Sequence, residues 1–427
     1  MMAKKEVILG LDIGTTSLCA ALAARDGSCP GTVTRKNTAH LPAAEDWRRE
    51  QDAGIILEEI RALAEELCSA EAVCAIALSG QMHGILYLDR DGRALSSLRT
   101  WQDGRGGLPL PGGSCADRLG IPAGYGFSTL LCDFERGQIP AGAYSFCTVA
   151  DYIALALTGE RRPVMHVTNA ASLGLFDVER ACFDGRAEAL CRAAGLQLPE
   201  ISAEMRPVGR WGEIPVFCAI GDNQAAFRAA AGEGDALLNF GTGSQMSFLS
   251  DSPIPLPGLE VRPYLGGKFI QSGSALCGGR AYAALAELFA QFDRARGLSG
   301  AEIYETLGRL AEEAWERGDL PAADTAFAGT RQEPGRRGNI TGISTENLTP
   351  GHLAAAILGG MVEELWRLFE GSGAVAGGVV LSGNAARKNP LLCRIAAVRT
   401  GLPVRISPVA EEAAYGAALA AGEEIWK

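Results

Sequence analysis

Two parts of the chain repeat one pattern, in which a short turn rich in glycine and threonine joins two β-strands. The predicted strands and turns are Val7–Ile13, Gly14-Thr15-Thr16 and Ser17–Ala24 in the first copy, and Ala236–Phe240, Gly241-Thr242-Gly243-Ser244 and Gln245–Leu249 in the second. Apolar runs separated by small polar residues are typical of β-hairpins. The repeat predicts two similarly built domains, whose turns could face one bound phosphate chain.

The length of the chain also favours two domains. A single hydrophobic core stops growing at roughly 250–300 residues, and this chain has 427. Apolar residues at helical spacing across Asp46–Leu67 precede an apolar strand at Val73–Leu78, so the predicted fold class is mixed α/β. We place the boundary near Glu233-Gly234, which gives domains at 1–233 and 234–427.

Strands and helices continue to alternate along the rest of the chain. The predicted helices are Gln224–Ala231, Gly351–Glu370, Asn389–Val398 and a last one from Glu411; Gly377–Leu381 is a predicted strand, followed by a loop at Ser382-Gly383-Asn384. Segment 320–340, which contains prolines, glycines and several arginines, is the best candidate for an irregular loop.

Composition argues against several classes of protein. The net charge of −11, without a basic cluster, argues against a nucleic-acid partner. No apolar stretch is long enough to span a bilayer, and the apolar run that begins the chain ends at Asp12, so we expect a cytoplasmic protein. The 12 cysteines are scattered and there are only 4 histidines, which favours reduced thiols over a zinc site or disulfides.

The first turn combines groups that suit a phosphate chain and a cation. Gly14 allows close approach of the backbone, and Thr15 and Thr16 supply hydroxyl and N–H donors. The carboxylate of Asp12 repels phosphate, so its useful role is to hold a hydrated Mg²⁺ ion. An ordinary hairpin turn would accept the same residues. The second turn has no carboxylate, and alone it is weak evidence because such tetrads occur in many tight turns. The chain has no P-loop, dinucleotide-binding or protein-kinase motif.

Asp222 follows the apolar run Val216–Ile220 and precedes the helix at Gln224–Ala231. A carboxylate delivered by a strand into a cleft could act as a base. It could equally cap the helix, since aspartate is a common capping residue worth about 1 kcal/mol.

Two polar clusters suit a ligand that is rich in hydroxyl groups. The first is Ser79-Gly80-Gln81-Met82-His83-Gly84 and the second is Thr100-Trp101-Gln102-Asp103-Gly104-Arg105. Each sugar hydroxyl needs a donor or acceptor, while sugar carbons stack on an aromatic face. His83 or Trp101 alone would more often be a core residue, but two clusters in one domain favour a sugar site.

Six motifs occur in an order that resembles the FGGY carbohydrate kinases. They are D-I-G-T-T-S, G-Q-M-H-G, T-W-Q-D-G-R, G-D-N-Q-A-A, G-T-G-S and G-G-V-V-L-S-G-N, and they extend over nearly the whole chain. The resemblance implies an α/β fold with two actin-like, ribonuclease H-like ATPase domains flanking a nucleotide cleft. It also implies ATP and Mg²⁺ as cofactors and a small-molecule ketose as the acceptor. We expect a monomer or homodimer that binds neither nucleic acid nor membrane.

The resemblance also implies roles for individual residues. These are Asp222 as catalytic base; Gln81, Met82, His83, Trp101, Asp103 and Asn223 at the sugar; Gly14, Thr15, Thr16, Gly241, Thr242 and Gly243 at the phosphates; Gly383 and Asn384 at adenosine; and Asp12 at Mg²⁺ through water.

Three further segments resemble one branch of that family, the sedoheptulokinases. They are Gly124–Thr129, Val149–Leu157 and Thr168–Ser172. The resemblance implies transfer of the γ-phosphoryl group to the terminal hydroxyl of sedoheptulose. Another ketose or polyol, such as xylulose, ribulose or glycerol, is an alternative acceptor. An actin-like nucleotide switch or chaperone ATPase is a more distant alternative, because a switch needs no base like Asp222 and no sugar pocket.

Overall fold

The computed structural model describes residues 5–299, 302–330, 333 and 335–427. Its β-strands are, in order, β1 Glu6–Ile13, β2 Ser17–Ala24, β3 Thr32–Lys36, β4 Glu50–Gln51, β5 Ala72–Gly80, β6 Leu86–Leu88, β7 Leu98–Arg99, β8 Ser145–Cys147, β9 Val164–His166, β10 Phe176–Asp177, β11 Cys182–Phe183, β12 Glu200–Ser202, β13 Pro207–Trp211, β14 Ile214–Phe217, β15 Ile220–Gly221, β16 Asp235–Phe240, β17 Ser244–Ser250, β18 Glu260–Pro263, β19 Phe269–Ala275, β20 Ala322–Asp324, β21 Asn339–Thr341, β22 Gly378–Ser382 and β23 Val404–Ile406. Its α-helices are α1 Ala53–Ala70, α2 Cys115–Leu119, α3 Gly126–Glu135, α4 Val149–Thr158, α5 Val167–Ser172, α6 Gly185–Ala194, α7 Asp222–Ala230, α8 Gly278–Ala295, α9 Ile303–Arg317, α10 Pro350–Ser372, α11 Asn384–Lys388, α12 Pro390–Thr400 and α13 Glu412–Ile425.

The chain forms two compact units. Unit 1 consists of Met1–Ala229, Arg262–Phe269 and Glu411–Lys427, and unit 2 consists of Ala230–Val261 and Ile270–Ala410. The first division lies within a few residues of the expected boundary at 233. A short middle segment and the end of the chain belong to unit 1, however, so the units differ from the predicted continuous domains.

The sheet of unit 1 is built on the first predicted hairpin. Strands β1 and β2 pair antiparallel, and β5 pairs parallel to β1 on the other side. The order is β13-β14-β5-β1-β2-β3, with β15 also paired to β5. Strands β1 and β2 are buried along nearly their whole length, which explains their continuous apolar runs.

Unit 2 repeats this arrangement around the second predicted hairpin. Strands β16 and β17 pair antiparallel, and β22 pairs parallel to β16. The order of its sheet is β18-β19-β17-β16-β22-β23. In both units a parallel strand therefore lies beside the first strand of the hairpin, and the repeat seen in the sequence is a repeat of the fold.

The last helix belongs to unit 1 because its small residues pack against β1. A Cβ atom added to Gly10 would lie 1.8 Å from the backbone oxygen of Ala414. Ala417, Ala418 and Ala421 on the same helix are completely buried. The absence of a side chain at Gly10 thus lets α13 lie directly on the strand.

Three predicted elements differ from the observed ones. The first predicted helix begins at Ala53 instead of Asp46, because Asp52 accepts the Gly54 and Ile55 backbone N–H groups and caps it. Asn384 begins helix α11 and is not part of a loop. Segment 320–340 contains the antiparallel pair β20 and β21; its residues 331, 332 and 334 lie outside the described part of the chain.

Each unit has its own hydrophobic core. No helix among the described residues has the length and apolar character needed to cross a membrane. All 12 cysteines are free thiols.

Candidate functional site

Several of the polar residues predicted for the site of unit 1 lie at the ends of neighbouring strands, at one edge of the sheet. Asp12 on β1 is opposite Ser79 on β5, and Gly80 is opposite Gly221 on β15. Because these strands are parallel, their carboxyl ends meet at the same edge, where open α/β sheets bind ligands. Asp12 and Asp222 are thereby brought to one place from segments that are far apart in sequence.

Asp12 is a partly buried carboxylate at this edge. Its Oδ1 atom accepts a hydrogen bond of 2.7 Å from the Ser79 hydroxyl. Burial raises the pKa of Asp12 to about 7, and the negative charge of Asp222 contributes to the rise. The two negatively charged carboxylates repel each other, and a cation bound nearby would relieve this repulsion.

Asp222 is the first residue of helix α7, directly after strand β15. Burial raises the pKa of Asp222 to about 6, although a hydrogen bond with the Asn223 backbone and the charge of Arg262 act in the opposite direction. A carboxylate with a pKa near 6 is mostly ionised at neutral pH and is more basic than an exposed aspartate. Arg262 lies in the middle segment of unit 1, and no sequence motif indicated it.

The first turn is linked directly to the predicted sugar residues. The Trp101 indole N–H donates to the Thr15 hydroxyl over 3.0 Å, and that hydroxyl donates to Gln81 Oε1 over 3.2 Å. Trp101 is 47% exposed, so part of its ring is open to a ligand. Asn37 fixes the same turn, since its side chain donates to the Gly14 oxygen.

Gln51 completes this hydrogen-bond network, although no sequence motif indicated it. The Gln51 side chain donates to the Thr15 backbone oxygen and accepts from Gln81, over 2.8 Å in each case. It is completely buried in the two-residue strand β4. Its role depends on pairing between distant segments, which leaves no local motif.

His83 has an unusual backbone conformation. Its φ angle is +74°, in the left-handed region that residues other than glycine rarely adopt. Its Nδ1–H donates to the Ser172 backbone oxygen over 2.7 Å. The ring stacks on Tyr125 with 4.2 Å between centroids. The neighbouring Met82 is only 4% exposed.

Asp103 is enclosed by protein hydrogen-bond donors. It is completely buried. Its Oδ1 atom accepts from the Arg105 backbone and Nε, and Oδ2 accepts from the Arg49 backbone and from the Arg105 guanidinium. Arg105 also pairs with Glu50 and Asp133. Asp103 therefore stabilises the segment that carries Trp101, and its expected place beside the sugar is not supported by this geometry.

We expect Asp103→Ala to lower the free energy of unfolding by about 3 kcal/mol, because it removes one partner from a buried ion pair. Urea unfolding measures this change. Asp91→Ala is the matched control, since Asp91 is 4.0 Å from Arg93 in an exposed ion pair, and we expect it to change stability little. A loss of sugar affinity without a loss of stability would contradict the structural role.

The predicted phosphate and adenosine residues of unit 2 lie side by side. Gly279 at the start of α8 donates its backbone N–H to the Gly241 oxygen over 2.8 Å, and Arg280 donates to Thr242 over 3.2 Å. Gly383 has a φ of +85°, and a Cβ atom there would lie 2.6 Å from the oxygen of Phe240. The turn Gly241–Gly243, the start of α8 and the Gly383-Asn384 corner therefore form one surface.

Backbone N–H groups and a helix start at this surface suit a phosphate chain. The start of α8 carries no distinctive sequence signal, because two consecutive glycines after a strand also occur in ordinary turns.

The residues of unit 1 fit a hydrated Mg²⁺ ion. No group of three or more His, Cys, Asp and Glu side chains able to hold a metal occurs in the described ranges. Mg²⁺ does not need such a cage, because it keeps several waters and binds through one or two carboxylates and substrate phosphates. Asp12, with its raised pKa and the second carboxylate nearby, matches that donor set.

Comparisons with known proteins identify the family. Residues 7–107 match the N-terminal domain, and residues 236–423 the C-terminal domain, of the FGGY family of carbohydrate kinases. The sedoheptulokinase of Mus musculus is 29% identical over 98% of both chains. A glycerol kinase of Thermus brockianus is 30% identical over 97% of this chain and 89% of its own.

The comparison with solved structures gives the fold. The xylulose kinase of Rhodospirillum rubrum superimposes with a TM-score of 0.81 at 23% identity, over 98% of this chain and 90% of its own. The two units thus have the expected actin-like, ribonuclease H-like fold. The chain belongs to the FGGY family of carbohydrate kinases and is a phosphotransferase whose acceptor is an alcohol group.

Proposed function

We propose that this enzyme transfers the γ-phosphoryl group of ATP to the terminal hydroxyl of a ketose, and that the ketose is sedoheptulose. The observation that carries the chemistry is the meeting of Asp12, Asp222 and the Thr15–Gln81–Trp101 hydrogen-bond network at one edge of the sheet of unit 1. The observation that favours sedoheptulose is the alignment with sedoheptulokinases over 98% of both chains.

Asp222 is the proposed base. As the hydroxyl oxygen of the ketose forms its bond to the γ-phosphorus, the hydroxyl proton passes to the Asp222 carboxylate and the bond to the ADP oxygen breaks. Phosphoryl transfer depends mainly on positioning and on stabilisation of charge. Mg²⁺ supplies part of that charge stabilisation when it is held beside Asp12.

Hydrogen bonds from the remaining residues orient the substrates in this proposal. Gln81, His83 and Asn223 offer polar groups to the ketose, and the exposed face of Trp101 packs against its carbons. The turns Gly14–Thr16 and Gly241–Gly243 bind phosphate oxygens, and Gly383 and Asn384 contact adenosine.

Glycerol is the second candidate acceptor, because the glycerol kinase of Thermus brockianus is 30% identical and the sedoheptulokinases are 29% identical. The family assignment leaves no support for the alternative of a nucleotide switch or chaperone ATPase.

We expect sedoheptulose to give the highest kcat/KM in a panel of ketoses and polyols with three to seven carbons, measured by ADP release. The Asp222→Asn variant, purified in the same way, controls for contaminating kinases. A preference of about tenfold for glycerol or xylulose, equivalent to about 1.4 kcal/mol of barrier, would overturn the assignment of the acceptor and leave the kinase chemistry intact.

A further inference from the structure

Side chains of helix α5 form hydrogen bonds with the backbone of the short strand β15, which directly precedes Asp222. Strand β15 has only two residues, which pair with Ser79 and Gly80 of β5. The Gly221 backbone N–H donates to the Thr168 hydroxyl oxygen over 3.1 Å. The Ala219 backbone oxygen accepts from the Asn169 side chain over 3.2 Å. Helix α5 thus takes the place of a neighbouring strand next to Asp222.

Thr168 is itself held in one orientation. Nδ1 of His166 accepts the Thr168 backbone N–H, and the Thr168 hydroxyl lies 2.9 Å from the same nitrogen. Because Nδ1 is an acceptor, the hydroxyl donates its proton to it and directs a lone pair toward Gly221. His166 is completely buried, and burial lowers its pKa to about 4, so it is neutral at neutral pH.

Asn169 is fixed from the other side by a buried carboxylate. Its Nδ2 atom lies 3.3 Å from Oδ1 of Asp151, whose Oδ2 accepts a 2.6 Å hydrogen bond from Thr148. Both Asn169 and Thr148 are completely buried. A buried polar network of this kind restricts the positions that its members can adopt.

The same helix also holds His83. The Ser172 hydroxyl accepts the His83 backbone N–H over 3.1 Å, and the Ser172 backbone oxygen accepts from the His83 ring. Six consecutive residues, Val167–Ser172, therefore contact both the segment that carries Asp222 and a predicted sugar residue with an unfavourable backbone angle.

We propose that Thr168 and Asn169 are positioning residues, which hold the backbone before Asp222 so that its carboxylate faces the acceptor hydroxyl. The inference rests on the proposed role of Asp222 as base. Thr168 and Asn169 act through the Ala219–Gly221 backbone and do not contact the substrate. Loss of either contact lets the Gly221-Asp222 corner shift, and small displacements of a catalytic group lower the rate of the chemical step more than they lower binding.

Thr168→Val tests this because valine has the shape of threonine without the hydroxyl. We expect kcat to fall about tenfold, equivalent to about 1.4 kcal/mol, with KM for the ketose changed by less than about twofold. Thr168→Ser restores the hydroxyl and most of kcat. Thr158→Val is the matched control, since the Thr158 hydroxyl donates to the Ala154 and Leu155 oxygens of its own helix, and we expect it to keep the wild-type kcat.

A double-mutant cycle separates this proposal from the assignment of the base. Thr168→Val in the Asp222→Asn background should cause no further loss of kcat, because the contact acts through the carboxylate. If Asp222→Asn alone retains kcat, the assignment of the base fails. If Asp222→Asn is inactive but Thr168→Val retains kcat, or serine does not rescue it, the positioning role is wrong. If Thr168→Val does not fold, Thr168→Cys provides the test. The thiol sulfur is a weaker acceptor for the Gly221 N–H than a hydroxyl oxygen, so the proposal requires a lower kcat for Thr168→Cys than for Thr168→Ser.

Discussion

Asp222→Asn should lower kcat by about 10²-fold or more, because a positioned base contributes about 10²–10⁴ to the rate. The substitution keeps the shape of the side chain and removes its ability to accept the proton of the hydroxyl. Asparagine caps helices about as well as aspartate, so the melting temperature and the dissociation constant of the ketose should change little. Steady-state kinetics, thermal unfolding and calorimetric binding measure the three quantities.

A matched control and a pH profile strengthen this test. Asp184 likewise lies at the start of a helix, where it accepts the Arg186 and Ala187 backbone N–H groups, and Asp184→Asn should keep the wild-type kcat. Because the pKa of Asp222 is raised to about 6, the base gains a proton as the pH falls through that value, and wild-type kcat should fall with it. If Asp222→Asn keeps more than about a tenth of the wild-type kcat, the substitution raises the activation free energy by less than about 1.4 kcal/mol. Asp222 would then not be the base, and its role would be limited to the start of the helix.

The architecture could be predicted because its signals are local. Strands that are buried on both faces need continuous apolar runs, and both hairpins carry such runs around a turn of small residues. The residues of the two turns, Asp12 and Asp222 could be proposed for the same reason, since each lies at or just after the end of a strand. Matching these turns to family motifs then gave the reaction class.

Features that depend on contacts between distant segments could not be predicted. Asp103 has the residue type of a sugar ligand, but its burial depends on Arg105 and on carboxylates from two other elements. Gln51 and Thr168 act through hydrogen bonds to backbone groups far along the chain. The place of α13 in unit 1 depends on the fit between Gly10 and Ala414, which no helical pattern reveals.

Asp12→Ala should raise the Mg²⁺ concentration needed for half-maximal activity and lower kcat, while the affinity for the ketose stays nearly the same. Asp12 repels phosphate unless a cation lies between them, and a metal ion at a phosphoryl group is worth several kcal/mol of charge stabilisation. We therefore expect a loss of about 10²-fold at a fixed low Mg²⁺ concentration, partly recovered as Mg²⁺ is raised.

Asp26→Ala is the control for that substitution, because Asp26 is an exposed carboxylate beyond the far end of β2 that accepts a hydrogen bond from Ser28. The Mg²⁺ dependence of Asp26→Ala should match that of the wild type.

Ser79→Ala is the graded variant, since it removes the 2.7 Å hydrogen bond to Asp12 but keeps the carboxylate. The Mg²⁺ concentration that it needs for half-maximal activity should lie between those of Asp12→Ala and the wild type. Because the hydrogen bonds of the Thr15–Gln81–Trp101 network do not pass through Asp12, ketose affinity measured by calorimetry separates the two roles. If ketose affinity falls as far as activity, Asp12 supports the sugar site and the cation must be held elsewhere.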